Sequence, residues 1–189
     1  MSLLSVIVPC YNEEESVALF YQELTKNDTF FKEKDIELEL LYIDDGSKDG
    51  TVREVKKLIE ADPRVHIISF SRNFGKEAAV YAGMAQATGD VVAVMDCDLQ
   101  HPPETLISMY HLWEQGWEVI EGVKKSRGTE SLLHKESAGF FYGIMSKATG
   151  VNMQNASDFK MMDRKAVNSI LSMPERNMFF RATSSWVGF

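Results

Sequence analysis

The sequence predicts a single α/β domain with helices flanking a mostly parallel central sheet. The main observation is a regular alternation of short apolar runs and amphipathic stretches up to about residue 120, without an internal repeat or a low-complexity linker. The apolar, strand-like runs are Leu4–Val8, Leu38–Ile43, Val65–Phe70, Val91–Met95 and Glu118–Gly122. The amphipathic, helix-like stretches are Glu14–Leu24, Val52–Ala61, Lys76–Ala87 and Glu104–Gln115. Strands that alternate with helices are joined by crossover connections, which favour a parallel sheet.

The stretch Val52–Ala61 illustrates the helical pattern. Its apolar residues recur at the spacing of one helix face: Val52, Val55, Leu58 and Ile59. Asp49 and Thr51 supply N-cap chemistry before it, and the pair Pro102-Pro103 does the same before the helix at Glu104. Beyond about residue 124 the chain continues with a basic segment, a helical stretch over Leu132–Thr149, the segment Asn155–Asp163 and a final helix. We assign this region to the same domain.

Composition limits the class of protein. The chain has 189 residues, of which 44% are hydrophobic and 25% charged, as in an ordinary soluble domain. Its formal net charge of −8 argues against a nucleic-acid partner, because such proteins are usually basic. Its two cysteines, Cys10 and Cys97, are expected to be reduced in a cytosolic protein. The sequence shows neither a secretory signal nor an apolar run of about 18 residues, the length that a membrane-spanning helix needs.

The sharpest feature is a buried strand that runs directly into Asp96 and Asp98. If the backbone stays extended, residues two apart face the same side, so the two carboxylates would converge. Such a pair suits Mg²⁺ or Mn²⁺, which also binds substrate phosphates. The alternative is a solvated loop or a helix cap. The position at a strand end favours the metal site, because ligands of parallel sheets bind beyond the carboxyl ends of the strands.

A second strand ends in Asp44-Asp45-Gly46. A carboxylate here is able to accept hydrogen bonds from a base or a ribose, while the glycine permits a tight turn. The same segment begins like a calcium-binding loop, but position 12 of that pattern requires a glutamate and is Lys56 here. The calcium interpretation is therefore rejected. A turn followed by a helix cap remains a sufficient structural explanation.

Two further strand ends carry candidate binding residues. Tyr11 and Glu13 follow the first strand, where an aromatic ring would cover a nucleobase and a carboxylate would reach a hydroxyl. Arg72 and Lys76 follow the third strand and would oppose diphosphate charge, together with the N-terminus of the next helix. The alternatives are a plain turn in the first case and two solvated cations in the second.

Several motifs are absent from the sequence. There is no Gly-x-Gly-x-x-Gly after the first strand, no Gly-x-x-x-x-Gly-Lys-Ser/Thr, no Gly-x-Ser-x-Gly and no histidine pair at helical spacing. A dinucleotide-binding dehydrogenase, a P-loop protein, a serine hydrolase of the α/β type and a helix-borne zinc site are thereby disfavoured.

Taken together, four segments resemble family-2 inverting glycosyltransferases of the GT-A fold. They are Ser5–Glu14, Asp44–Ser47, Ser71–Ala79 and Met95–Glu104. The segment Ser71–Ala79 is similar to the branch that transfers a sugar onto a polyprenyl phosphate, such as bactoprenol glucosyltransferases and dolichol-phosphate mannose synthases. The resemblance extends from residue 4 to about residue 170. It implies a nucleotide-sugar-binding half over residues 1–123 and an acceptor-side half over residues 124–189.

The resemblance also implies roles for individual residues. The nucleoside pocket would be lined by Pro9, Tyr11, Glu13, Ile43 and Asp45, and the rest of the nucleotide-sugar site would comprise Asp44, Arg72, Gly75, Lys76, Asp96, Cys97 and Gln100. Asp96 and Asp98 would hold the metal, with Asp98 also counted as catalytic. Asp158 lies where bactoprenol-type members carry an acid near the reacting sugar, so it is predicted either to deprotonate or to orient the acceptor.

An acceptor phosphate needs cations, and the segment 124–135 is basic in an otherwise acidic chain. By resemblance, Lys124, Arg127 and Lys135 are predicted to bind the acceptor phosphate, with a solvated loop as the alternative. Arg176 and Arg181, near Met178–Phe180, are candidates for a membrane-facing edge. The chain ends at Phe189 without a polar tail, and bactoprenol-type members usually continue into two membrane helices. We therefore expect this chain to be part of a longer protein that acts at the cytosolic face of a membrane. Whether it forms homo-oligomers is left open.

The predicted function is transfer of a hexose, with UDP-glucose the favoured donor, to a polyprenyl (undecaprenyl) phosphate. Three alternatives remain at this point. A nucleotidyltransferase lacks support because no glycine-rich basic loop is present near the N-terminus. A non-catalytic nucleotide-sugar binding module is disfavoured by the intact acids. A polysaccharide synthase domain, acting on a sugar hydroxyl, would typically carry a Gln-x-x-Arg-Trp motif that does not occur here.

Overall fold

A computed structural model describes residues 1–123, 157–174 and 179–189 of the chain. Its sheet has six strands: β1 (Ser2–Cys10), β2 (Ile36–Asp44), β3 (Val65–Ser69), β4 (Val91–Val94), β5 (Val119–Glu121) and β6 (Lys160–Asp163). All five predicted strands are confirmed, with ends that differ by one or two residues. The strand β6 is new, because its four residues lie inside the segment Asn155–Asp163, for which the sequence indicated no strand.

The strand order is β3-β2-β1-β4-β6-β5. Strands β1 to β4 pair in parallel, whereas β6 pairs antiparallel with both β4 and β5. The sheet is therefore mostly parallel, as predicted. The continuous apolar runs of β1 and β4 are explained by helices on both faces, which leave these central strands buried.

The described helices are α1 (Val17–Thr25), α2 (Asp28–Glu33), α3 (Thr51–Ala61), α4 (Lys76–Gln86), α5 (Thr105–Glu114), α6 (Arg164–Leu171) and α7 (Phe180–Trp186). The four predicted helices are confirmed, whereas the short α2 was not foreseen. The helix α1 begins three residues later than predicted, because residues 14–16 form a turn in which the Ser16 N–H donates to the Glu13 carbonyl at 3.0 Å. The final helical region contains α6 and α7, and the helix predicted over 132–149 lies outside the described residues.

Alternate residues of the central strands point to opposite faces of the sheet and belong to two hydrophobic cores. One core lies between the sheet and the helices α1, α3 and α5, and includes Val6, Phe20 and Leu106. The other lies between the sheet and α4, α6 and α7, and includes Ile7 and Val167. Within the described ranges, no helix has both the length and the apolar character needed to cross a bilayer.

Register places the candidate residues at one edge of the sheet. Cys10 of β1 pairs with Asp44 of β2, and Asp44 pairs with Ser69 of β3. On the other side of β1, Ile7 pairs with Val94, the last residue of β4. The carboxyl ends of these four parallel strands therefore lie side by side, as the sequence analysis requires of a binding site.

A network of charged side chains lies at the C-terminal end of α3. The Arg64 guanidinium donates to both carboxylate oxygens of Asp28, at 3.0 and 2.9 Å, and to Asp62 at 2.7 Å. The Tyr21 hydroxyl also donates to Asp62, at 2.8 Å. Asp62 is only 7% exposed. Hydrogen bonds from Arg64 lower the pKa of Asp62 to about 2, although burial opposes the shift.

This network predicts a specific loss of stability in acid. The folded-state pKa of Asp62 lies below the unfolded value of about 3.9, so its contribution is present above pH 4 and is lost between about pH 4 and pH 2. Replacement of Asp62 by Asn is expected to lower the free energy of unfolding by about 2 kcal/mol at pH 7. It should also weaken the dependence of that free energy on pH. The measurement is urea unfolding from pH 7 to pH 2.5. Glu60→Gln, on the exposed face of α3, is the matched control and should leave both quantities unchanged.

Candidate active site

A cavity of about 280 Å³ opens at the carboxyl ends of the parallel strands. Its lining consists of Pro9, Cys10, Tyr11, Glu13, Asp45, Asn73, Gly75, Lys76, Ala79, Asp96, Cys97 and Asp98. Nine of these residues are predicted site residues, and Cys10, Asn73 and Ala79 were not assigned to the site from sequence. Four chain segments that are far apart in sequence thus contribute to one pocket.

The two predicted metal-binding acids both face this pocket, although the backbone differs from expectation. The strand β4 ends at Val94, and the Met95 N–H donates to the Ile7 carbonyl at 2.9 Å, which keeps the chain beside β1 for one more residue. The chain then turns at Cys97 and Asp98 instead of remaining extended. A Gln100 N–H donates to the Asp98 carboxylate at 3.0 Å and stabilises this turn.

The donor set at this site fits a hard divalent cation. Asp96 and Asp98 provide carboxylate oxygens, which Mg²⁺ and Mn²⁺ prefer. Among the described residues, no group of three or more His, Cys, Asp or Glu side chains is arranged to hold a metal ion. Two protein carboxylates nevertheless suffice for Mg²⁺, which commonly keeps several waters and takes the remaining ligands from substrate phosphates.

The acidic pair after β2 has a clear structural role. The buried Asp44 carboxylate accepts hydrogen bonds from the Ser47 N–H at 3.0 Å and from the Ser69 hydroxyl at 2.6 Å. The Asp45 carboxylate accepts from the N–H groups of Phe74 and Gly75, at 2.7 and 2.9 Å. Asp45 therefore holds the loop that leads into α4 and shapes the pocket wall. Asp45 lines the cavity, whereas Asp44 does not.

Four predicted donor-site residues, Ile43, Asp44, Arg72 and Gln100, are not among the cavity-lining residues. Ile43 is fully buried and packs in the core beneath α4, where its side chain lies next to Gly83. The Arg72 guanidinium stacks over the Phe74 ring, 4.5 Å from its centroid. Binding roles for these residues remain predictions.

The acid predicted near the reacting sugar lies between two cations. The Lys76 ammonium is 2.8 Å from the Asp158 carboxylate, and Arg181 donates to it from Nε at 2.6 Å and from Nη2 at 2.7 Å. Burial would raise the pKa of Asp158, but these two cations outweigh burial and hold it at about 2. Asp158 is therefore a carboxylate at neutral pH and a weak proton acceptor.

The contact of Arg181 with Asp158 was missed by sequence reasoning, which considered Arg181 only for a membrane-facing edge. The two residues are 23 positions apart and lie on different elements, so no local pattern signals the pair. The same is true of Lys160, which is 1% exposed on β6 and lies 3.2 Å from Glu121. Burial lowers the pKa of Lys160, while Glu121 opposes that shift. These charged residues are thus held by ion pairs between segments that are distant in sequence.

The two cysteines lie next to each other on the pocket wall. Both are buried free thiols: Cys10 is the last residue of β1, and Cys97 follows the neighbouring strand β4. A hydrogen bond with Cys97, together with burial, raises the pKa of the Cys10 thiol. Their reduced state stays a prediction.

The predicted acceptor-phosphate residues Lys124, Arg127 and Lys135 lie outside the described residues, as does Arg176. Their assignment therefore stays a prediction. In the described part of the half predicted to bind the acceptor, charged side chains meet at Asp158, Lys160 and Arg181, and their role toward an acceptor also stays a prediction.

The fold and the acidic strand ends define a protein of the GT-A class, with a pocket at the carboxyl edge of a mostly parallel sheet. The chain belongs to glycosyl transferase family 2, which it matches over residues 5–171. The predicted fold class and the resemblance to this family are both confirmed.

Two curated relatives match nearly the whole of this chain. The uncharacterized glycosyltransferase YkcC of Bacillus subtilis (strain 168) is 40% identical over 98% of this chain and 57% of its own. A prophage bactoprenol glucosyl transferase homolog of Escherichia coli (strain K12) is 38% identical over 98% of this chain and 60% of its own. The chain thus spans less than two thirds of these relatives' length.

A solved structure confirms the fold. The mannosyltransferase PcManGT from Pyrobaculum calidifontis, in complex with GDP-Man and Mn²⁺, is similar to this chain with a TM-score of 0.63. The similarity covers 92% of this chain and 48% of PcManGT at 21% identity. At that identity, the likeness establishes the shared GT-A architecture.

Proposed function

We propose that this protein is an inverting glycosyltransferase that transfers a hexose from a nucleotide-diphosphate sugar, favouring UDP-glucose, to a polyprenyl phosphate. Its place of action would be the cytosolic face of a membrane, in the modification of cell-envelope glycans. The observation that carries the proposal is the 38% identity, over 98% of the chain, to a relative named as a bactoprenol glucosyl transferase homolog. The pocket supports it, because several acids and the Lys76 ammonium converge where a sugar diphosphate would bind.

The donor side of the pocket suits a nucleotide diphosphate. Asp96 and Asp98 would hold Mg²⁺ or Mn²⁺, which when bound neutralises charge on a departing diphosphate. The Lys76 ammonium lies next to Asp96, at the N-terminus of α4, and is placed to contact the same phosphates. Tyr11 is 43% exposed at the pocket wall, where its ring is available to a nucleobase.

The state of Asp158 favours a phosphate acceptor over a sugar hydroxyl. A hydroxyl must lose a proton during attack and benefits from a base whose pKa lies near the working pH. The Asp158 pKa of about 2 is far from that range. A phosphate monoester has a second pKa near 6 and is largely dianionic at neutral pH, so it needs no base. We therefore assign Asp158 to orientation, through Arg181, which would face the acceptor.

A transfer assay with Asp158→Asn tests this assignment. With UDP-glucose and a short-chain polyprenyl phosphate, we expect a loss of about tenfold to at most a hundredfold, because only orientation is weakened. Loss of a general base typically costs about 10²–10⁴ in rate. The assay measures radioactive sugar extracted into the lipid fraction, with GDP-mannose as an alternative donor and a free sugar as an alternative acceptor.

The matched control is Asp35→Asn, an exposed site at the opposite edge of the sheet whose positive φ asparagine tolerates. It should retain wild-type transfer. A loss in Asp158→Asn well beyond a hundredfold would contradict the orienting role, and wild-type transfer only to the free sugar would contradict the phosphate acceptor. No transfer from either donor, with nucleotide-sugar binding intact, would support a binding module instead.

A further inference from the structure

The Lys76 side chain contacts both carboxylate oxygens of one predicted metal ligand. Its ammonium lies 2.7 Å from Oδ1 and 2.9 Å from Oδ2 of Asp96. A third contact, of 2.8 Å, joins the same ammonium to Asp158. One monovalent cation thus bridges the donor-side acid and the acceptor-side acid of the pocket.

A divalent cation and this ammonium require the same oxygens. Mg²⁺ binds carboxylate oxygens directly, at about 2.0–2.1 Å, so it competes with an ammonium that already contacts both of them. A positive ammonium at hydrogen-bonding distance also repels a second cation at the same carboxylate. The described residues offer no third acidic ligand in a metal-binding arrangement, so none of them offsets this competition.

Once displaced from Asp96, the ammonium would be able to contact a diphosphate in the same pocket. Lys76 is the first residue of α4, on a flexible four-carbon stem, and its side chain is 40% exposed. Its pocket is the one that a diphosphate would enter. Phosphate oxygens would accept the ammonium and at the same time supply the missing metal ligands.

From this competition we infer that Lys76 keeps the metal site closed until a nucleotide diphosphate arrives. The ammonium substitutes for the divalent cation at Asp96 in the free protein, and transfer of the ammonium to the diphosphate frees Asp96 for the metal. Metal and nucleotide therefore each increase the affinity of the protein for the other, and the Lys76 side chain contributes part of this coupling. The inference rests on the donor half of the proposed function.

Mn²⁺ titration without nucleotide, followed by electron paramagnetic resonance of the free ion, tests the inference. We expect Lys76→Met to bind Mn²⁺ about tenfold more tightly than the wild type. Addition of UDP should tighten Mn²⁺ binding in the wild type by a larger factor than in Lys76→Met. By linkage, Mn²⁺ must tighten UDP binding by the same factor in each protein.

Matched controls separate displacement from a general charge effect. Lys48→Met and Lys56→Met remove the same charge from exposed positions outside the pocket lining and should change Mn²⁺ affinity less than twofold. Lys76→Gln repeats the test with a polar side chain. Equal Mn²⁺ affinity in the wild type and both Lys76 variants would overturn the inference, since a lysine that only binds diphosphate leaves nucleotide-free Mn²⁺ binding unchanged.

A wild-type experiment guards against variants that do not fold. In crystals soaked with Mn²⁺ alone, any ion on Asp96 should be accompanied by a Lys76 ammonium that has left at least one carboxylate oxygen. An ion on Asp96 with both Lys76 contacts retained would refute displacement. None of these measurements involves an acceptor or sugar transfer, so a failure of the polyprenyl-phosphate proposal would leave their outcome intact.

Discussion

Asparagine at position 96 or 98 is expected to lower sugar transfer about a thousandfold or more. The change keeps the shape of each side chain but removes the charge with which it would hold a divalent cation. A bound metal ion contributes several kcal/mol by stabilising developing negative charge, and about 4 kcal/mol corresponds to a factor of a thousand in rate. These acids would also anchor the diphosphate, so donor binding should weaken as well.

The measurement is release of nucleotide diphosphate with saturating donor and acceptor, repeated at rising Mn²⁺ concentration. Partial recovery of Asp98→Asn at high Mn²⁺ is expected, because Asp96 still offers one carboxylate. Glu60→Gln removes a carboxylate outside the pocket and should keep wild-type transfer. Undiminished transfer by a variant that lacks both acids would rule out metal binding at these positions as the basis of the reaction.

Alanine at Gly46 is expected to destabilise the protein by about 3 kcal/mol and to impair donor binding. Gly46 has a φ of +72°, a region that costs an L-residue roughly 1–2 kcal/mol. A Cβ there would lie 2.4 Å from the backbone carbonyl carbon of Arg72, so two backbone segments must separate. Overpacking of this kind typically costs about 1–3 kcal/mol. Asp45, which holds the loop into α4, would move with the turn.

Gly116 provides the matched control. Its φ of +96° is also left-handed, but an added Cβ would meet nothing within 4 Å. Gly116→Ala should therefore cost only the conformational part, roughly 1–2 kcal/mol. Thermal unfolding measures both, and each kcal/mol lowers the midpoint by about 2–4 °C in a domain of this size. Equal losses in the two variants would show that the contact with Arg72 has no energetic weight.

The fold followed from sequence because its signals are local and repeated. Each central strand is a short apolar run, and each of the four longer helices has an apolar face, so the alternation was readable without tertiary information. The two elements not foreseen have different causes. The strand β6 is only four residues long and joins the sheet antiparallel, outside the crossover pattern. The six-residue α2 is too short to show a helical period.

The donor side of the site was predictable for a related reason. Acids placed directly after parallel strands must gather at one edge of the sheet, whichever turns follow. Asp45, Asp96 and Asp98 therefore line the pocket even though the backbone turns at Cys97 instead of staying extended. The same argument does not extend to Ile43, which is fully buried in the core beneath α4. A motif shows which residues are near a strand end, but not which way each side chain points.

By itself, the sequence determined the α/β architecture, the family and the acidic pair at the end of β4, because each depends on residues close together in the chain. Only the tertiary structure decided which charges meet. Lys76 bridges Asp96 and Asp158, and Arg181 holds Asp158 from α7. Ion pairs between distant segments depend on a few ångströms of separation set by packing, and no spacing along the chain encodes those distances.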